Sequence, residues 1–439
     1  MNLLIVLALV GLMHAARTFD AGGAHATTLA FGFVLLAAFF AGRIFASLRL
    51  PKLTGYIATG IAVGPAVLGL LSPELIHDLE IVDGVAIAMI ALTAGNELDL
   101  RAFRPLLRSI QWITLWAVIG TALLLGAAVF AMQGLLPFFD RLSLLPALAV
   151  ALVMGVVMSA QSPAVVVALR DEMEADGPMS RTVLGVVVIA DLVVILLFAA
   201  TSSLAQSVIG APGDFSDTLS LLTWEILGSL TSGVLVGAII AAYLRFVGRN
   251  GALFVVTVCF VAAEVGSRLH FDPLLVALAA GVLIRNATRQ GDVLQAQIEL
   301  ASLPVYVVFF AVAGAHIDLR LLASVALPAT AIVAVRGIGL VLGSRIGAHL
   351  AGSPEVVKRW AGFGLLPQAG LALALAALFV KTFPEFGAEA RALVLGVVAL
   401  NELVAPAIYR WALVRSGEAG RREAAEAVAE LVEEAQPAA

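Results

Sequence analysis

The sequence predicts an all-α polytopic membrane protein of about 13 to 14 transmembrane helices, arranged as two six-helix repeats inverted relative to each other. Three observations carry this reading. Of 439 residues, 61% are hydrophobic and only 13% are charged, with a mean hydropathy of +1.03, whereas about a quarter of the residues of a soluble domain are charged. Apolar runs able to cross about 30 Å of hydrocarbon recur along nearly the whole chain, without the alternation of a membrane barrel. Finally, Val183–Val193 and Val394–Val404 align without gaps and place Asp191 and Glu402 at the same position.

The first apolar run, Asn2 to Ala16, is short for a span and has no basic residue ahead of it. A signal peptide and an extra helix both fit, and an extra helix is the expectation. Thirteen spans follow, at 26–48, 53–71, 84–100, 109–132, 143–168, 180–201, 221–244, 250–267, 273–286, 301–316, 322–344, 360–380 and 390–412. The expected domains are an N-terminal helix and loop (1–25), a membrane domain (26–414) and an acidic tail (415–439). Within the membrane domain, repeat one covers 26–201, a linker helix 221–244 and repeat two 250–414. The tail, from Glu418 to Glu434, reads as an acidic, alanine-rich, solvated helix.

Basic residues set the orientation. Loops after even-numbered spans, with the tail, carry nineteen lysines and arginines, and loops after odd-numbered spans carry six. Both termini are therefore expected in the cytoplasm. The remaining basic residue, Arg336, falls deep inside the twelfth span.

The repeat extends beyond its two acids. Ala94–Arg101 at the end of the fourth span echoes Ala313–Arg320 at the end of the eleventh. The sixth and thirteenth spans each set a proline beside a glutamine, in Ser159–Pro163 and Leu365–Gly370. The offset is seven spans, and an odd offset turns the second repeat upside down. Proline removes a backbone donor and stops regular helix, so Pro163 and Pro367 free polar groups that need partners at membrane depth. Inverted repeats with interrupted spans in matching positions are the signature of a secondary transporter.

Asp191 is the leading site residue. A carboxylate at bilayer depth costs roughly 2.5 to 3.5 kcal/mol even on translocon scales, so its presence calls for a function. It holds either a proton or a monovalent cation, and that exclusion is the simplest basis for antiport. Further oxygen ligands come from Ser159, Gln161, Ser162 and the carbonyls freed beside Pro163. Arg336 stays charged, so at this depth it must face a carboxylate, with Asp191 as its charge partner, or the carbonyls of a broken helix. Glycines at 337, 339, 343 and 347 form a small-residue packing ladder behind it. Secondary candidates are Glu402, Glu97, Asn401 and Gln368. His14, His25 and His316 lack metal-ligand spacing, the single Cys259 excludes an internal disulfide, and no enzyme or phosphate-loop motif is present. No cofactor, enzyme activity or nucleic-acid partner is expected.

Taken together, Leu50–Tyr56 leading to Gly64–Pro65, Gly95–Asp99, Ser162–Pro163, Asp191, Arg336 and Leu366–Gly370 resemble the cation:proton antiporter-2 group across residues 26–414. That group includes sodium/proton antiporters and the membrane part of Kef-type potassium efflux systems. The resemblance implies a homodimer in which a core of spans 5–7 and 12–14 moves against a dimerisation domain, with the broken spans 6 and 13 crossing. It also implies that Asp191 is the cation- and proton-binding carboxylate, and that Arg336 fills a position where the family has lysine or arginine. The family usually has a polar residue immediately before the aspartate, and here Ala190 stands there. This departure points to electroneutral exchange of sodium or potassium for a proton in the cell's inner membrane. A proton-coupled organic-anion carrier held by Arg336, and a non-transporting sensor or scaffold, are the alternatives.

Overall fold

In lipid every backbone polar group must bond within the protein, so a chain this apolar is confined to helices. The computed structural model describes residues 2–19, 24–79, 81–209, 215–269, 271–317, 319–368, 370–383, 385 and 387–421, and the repeating elements among them are all helical. Their order begins with α1 (Asn2–Phe19), α2 (Ala24–Ser47), α3 (Lys52–Val63), α4 (Pro73–Leu79), α5 (Ile81–Glu97) and α6 (Leu100–Phe103). Next, α7 (Leu107–Ile113) passes through a π-helical turn, Thr114–Ile119, into α8 (Gly120–Ala131). Then come α9 (Leu144–Ser159), α10 (Pro163–Glu172), α11 (Pro178–Ile209), α12 (Phe215–Phe246), α13 (Gly251–Leu269), α14 (Pro273–Ala287) and α15 (Gly291–Ala315). The last are α16 (Leu319–Ser324), α17 (Ala326–Ala351), α18 (Glu355–Gly364), α19 (Gly370–Thr382) and α20 (Gly387–Ser416).

Among the described residues, eight helical segments are long and apolar enough to cross a membrane, and α13, α14 and α19 are shorter apolar helices. Every span expected from the sequence coincides with a helix or a helix pair. Two boundaries differ for local reasons. The third span stops at Val63 because Gly64 turns the chain into an extended conformation before Pro65. The eleventh begins ten residues early, at Gly291, where Leu294 and Ile298 bury one stripe of an otherwise polar helical turn.

The two repeats are joined by matched glycine contacts. Gly95 on α5 meets Gly281 on α14, and Gly314 on α15 meets Gly60 on α3; a Cβ at any of the four would run into a backbone carbonyl of the facing helix. Gly95 and Gly314 hold the same place in the two echoed stretches. One sequence repeat thus appears as two equivalent helix crossings, each pairing a helix of one repeat with a helix of the other.

The α17 ladder is used unequally. Gly343 and Gly347 lie against the Trp116 and Trp112 carbonyls, and Gly339 against Thr121. Gly337 faces outward, its nearest neighbour being a Leu366 methyl at 3.8 Å from an added Cβ. Gly343→Ala is therefore expected to cost about 1–3 kcal/mol by overpacking, whereas Gly337→Ala should be neutral or stabilising through helix propensity. Thermal unfolding of the purified variants checks this, and equal melting temperatures would contradict the assigned packing.

Candidate ion-binding site

The site is built on two helix breaks. Ser162 caps α10, its Oγ accepting from the Val165 amide at 3.3 Å, and Pro163 takes the first helical position, where no amide donor is needed. In the second repeat α18 ends at Gly364 and α19 begins at Gly370, with Pro367 in the interruption. The breaks touch directly: the Ser162 amide donates to the Pro367 carbonyl at 3.0 Å. Pro163 and Pro367 thus stand at the crossing point of two interrupted helices.

The C-terminal ends of α9 and α18 present carbonyls with no partner in their own helices and carry a partial negative charge. Arg336, fully buried on α17, answers both. Its Nε donates to the Met158 carbonyl at 2.9 Å, Nη2 to Ala160 at 2.8 Å and Nη1 to Leu366 at 2.6 Å. Nη1 also lies 3.5 Å from Asn401 Oδ1. Gln368 adds a second donor to Met158, at 3.1 Å, and its Oε1 accepts from Asn401 Nδ2 at 3.0 Å. Of the two partners open to Arg336, the structure provides the carbonyls. The charge partnership with Asp191 is corrected accordingly, because every bond of this guanidinium goes to an uncharged oxygen.

Asp191 sits on α11, which packs along α9, and is 3% exposed. Its Oδ1 has no hydrogen-bond partner among the described residues. Gln161, in the first break, is likewise buried with both amide atoms unpartnered. Ser159 Oγ donates to the Val156 carbonyl of its own helix at 2.8 Å, which leaves its lone pairs free to accept. Glu402 is buried on α20 beside Asn401, with no hydrogen bond or ion pair among the described residues.

Glu97 belongs elsewhere. It pairs with Arg170 on α10, largely buried, at the arginine-rich end of the molecule. Arg170 also reaches Asp176 at 3.2 Å, and Asp176 bonds Arg181 at 2.8 and 2.6 Å. Burial pushes the Asp176 carboxyl up, but the two arginines outweigh it and hold the group below the usual carboxylate range. The tail also departs from expectation at its start. Glu418 is 1% exposed, and its two carboxylate oxygens cap the Met179 and Ser180 amides of α11 at 2.7 Å each. The rest of the expected tail helix, from 422 to 434, lies outside the described residues, as does the tail beyond it.

Asp272 is the residue that the sequence reading passed over. It caps α14, accepting from the Leu274 amide at 2.7 Å and the Leu275 amide at 3.3 Å. An aspartate before a proline is an ordinary capping signal, and that hid it.

A family profile described as sodium/hydrogen exchanger, transmembrane, matches residues 33–415. The chain belongs to the sodium/hydrogen exchanger family. Among relatives, it is 26% identical over 298 residues to the iron transporter MagA of Paramagnetospirillum magneticum, covering 65% of this chain and 63%, less than two thirds, of that protein. It is 25% identical to the Na(+)/H(+)-K(+) antiporter GerN of Bacillus cereus over 78% of this chain and 85% of that one. The sodium proton antiporter MjNhaP1 of Methanocaldococcus jannaschii has the same fold, with a TM-score of 0.65 and 15% identity over 90% of this chain and 98% of that one. The fold of this exchanger is thus that of a cation/proton antiporter.

Removing the guanidinium strands the buried Ala160 and Leu366 carbonyls and leaves Met158 with Gln368 alone, at about 1–3 kcal/mol for each group left unsatisfied. Arg336→Ala is expected to lower the melting temperature strongly, and Arg336→Lys, which keeps the charge without the fork, to lower it less. A wild-type melting temperature for Arg336→Ala would remove this residue from its structural role.

Proposed function

We propose that this exchanger carries a monovalent cation, sodium or potassium, against a proton at Asp191 by alternating access. The observation that carries the reading is a buried carboxylate oxygen with no partner among the described residues, on a helix packed along the interrupted α9, whose freed carbonyls already hold the arginine. An ionised carboxylate at this depth needs a counter-charge. With Arg336 engaged, a proton or a cation supplies it, and one excludes the other. Gln161, Ser159 and Ser162 stand in or at the edge of the α9–α10 break as oxygen ligands for a hard monovalent ion.

Ala190 places no second acid beside Asp191. One carboxylate that exchanges one proton for one monovalent ion moves no net charge, which supports electroneutral exchange. Arg336 has its donors taken up by carbonyls, which speaks against the organic-anion alternative. Among the described residues no group of three His, Cys, Asp or Glu is placed to hold a metal ion, so the reading does not extend to the iron named for MagA. The assignment to the cation:proton antiporter-2 group rests on the motif order, and the dimer on the resemblance. In this reading α7–α11 and α17–α20 form the moving core. The arginine-rich end, with both termini, faces the cytoplasm across the inner membrane.

In proteoliposomes Asp191→Asn should abolish cation-dependent proton movement while the protein remains folded. Wild-type rates in that variant would overturn the assignment. Charge balance is a separate matter: an imposed membrane potential should leave the wild-type exchange rate unchanged, and a clear voltage dependence would refute one-for-one exchange.

A further inference from the structure

The outer side of α17, α18 and α20 contains an apolar groove of about 530 Å³. Val333, Gly337 and Val341 of α17 line it with Phe363, Leu366, Asn401 and Ile408. In a membrane a groove with this lining is filled by hydrocarbon. What distinguishes it from an ordinary lipid-facing surface is the charge at one end.

Arg345 lies one helical turn beyond Val341, Arg359 one turn before Phe363 and Arg415 two turns beyond Ile408, all at the arginine-rich end. Each is exposed, and none of the three guanidinium groups has a carboxylate partner among the described residues. Lys358, next to Arg359 on α18, by contrast is paired with Glu355. Between the arginines and the groove stands an aromatic cluster. Trp360 and Trp411 lie 5.1 Å apart, Phe363 is 5.5 Å from Trp411, and the Arg359 guanidinium lies 5.1 Å over Trp360. Tryptophans at this level mark the headgroup region.

We propose that this groove binds an anionic phospholipid, one acyl chain against Gly337 and Leu366 and the phosphate among Arg345, Arg359 and Arg415. From Arg345 to Val333 is twelve residues of α17, about 18 Å of helix, close to the ~15 Å of hydrocarbon in one leaflet. Basic pockets between membrane helices recognise anionic headgroups in this way. The chain would end against Leu366, whose carbonyl binds Arg336, and against Asn401, which bonds Gln368. The bound lipid would thus brace the second helix break from outside. The proposal does not depend on transport at Asp191.

The test is lipid retention by the full-length protein, purified in detergent with phosphatidylglycerol or phosphatidylcholine and weighed intact by native mass spectrometry. Wild type should retain phosphatidylglycerol over phosphatidylcholine. The triple variant Arg345→Ala/Arg359→Ala/Arg415→Ala should lose that preference by roughly fivefold per arginine. Gly337→Leu, which fills the groove from a position with open space, should reduce retention of both lipids with all three arginines present. Equal retention of the two lipids by wild type, or a wild-type preference in the triple variant, would overturn the proposal. Unchanged retention in Gly337→Leu would also overturn it, by removing the groove as the seat of the chain.

Discussion

One buried guanidinium holds the two halves of the crossing together. Breaking a helix inside a membrane exposes carbonyls that neither water nor lipid can satisfy, so two breaks in contact require a shared donor. Arg336 is that donor, because its planar fork reaches Met158 and Ala160 on one broken helix and Leu366 on the other. A lysine would bring the charge without the geometry. The small face of α17 follows from this requirement. Gly339, Gly343 and Gly347 let the helix approach the π turn and its neighbours closely, which sets the arginine at the depth of the breaks.

With Arg336 committed to carbonyls, Asp191 Oδ1 has no hydrogen-bond partner among the described residues. The proposed exchange requires this: a permanent ion pair at Asp191 would satisfy the carboxylate and leave no reason to bind a proton or a cation. Gln161, in the first break, likewise has no partner among the described residues, and Ser159 keeps its lone pairs free to accept. Glu402 occupies the matching place in the second repeat, but there the adjacent Asn401 is tied into the Arg336 and Gln368 network. The two acids are alike in lacking a partner among the described residues, and the repeats differ in the residue before them: Asn401 joins the hydrogen-bond network, and Ala190 has no side chain to do so.

At the arginine-rich end, three contacts tie α10 and α20 to α3, α5 and the turn between α2 and α3. Arg170 pairs with Glu97, the Lys52 amide donates to Glu172 at 2.8 Å, and Arg410 reaches the Arg49 carbonyl. They close that end around the crossing. Glu418 fastens the start of α11 just beneath it, which joins the helix carrying Asp191 to the end of the described chain.

Much of this architecture was legible in the sequence because its causes are local. Apolar runs mark the helices, proline marks the breaks, and two ungapped stretches reveal the repeat. An isolated acid such as Asp191 stands out against its surroundings wherever the chain folds. Partners were not legible. Arg336 meets its carbonyls across 178, 176 and 30 positions of chain, and no local pattern distinguishes that outcome from an ion pair with Asp191. Glu418 looked like the first residue of a solvated tail because its composition is that of a tail, yet it meets α11 across 239 and 238 positions. By itself the sequence determined the elements and their order, since those depend on each segment's own chemistry. The tertiary structure alone decided which charges are satisfied and which stay available, since that depends on residues that only folding brings together.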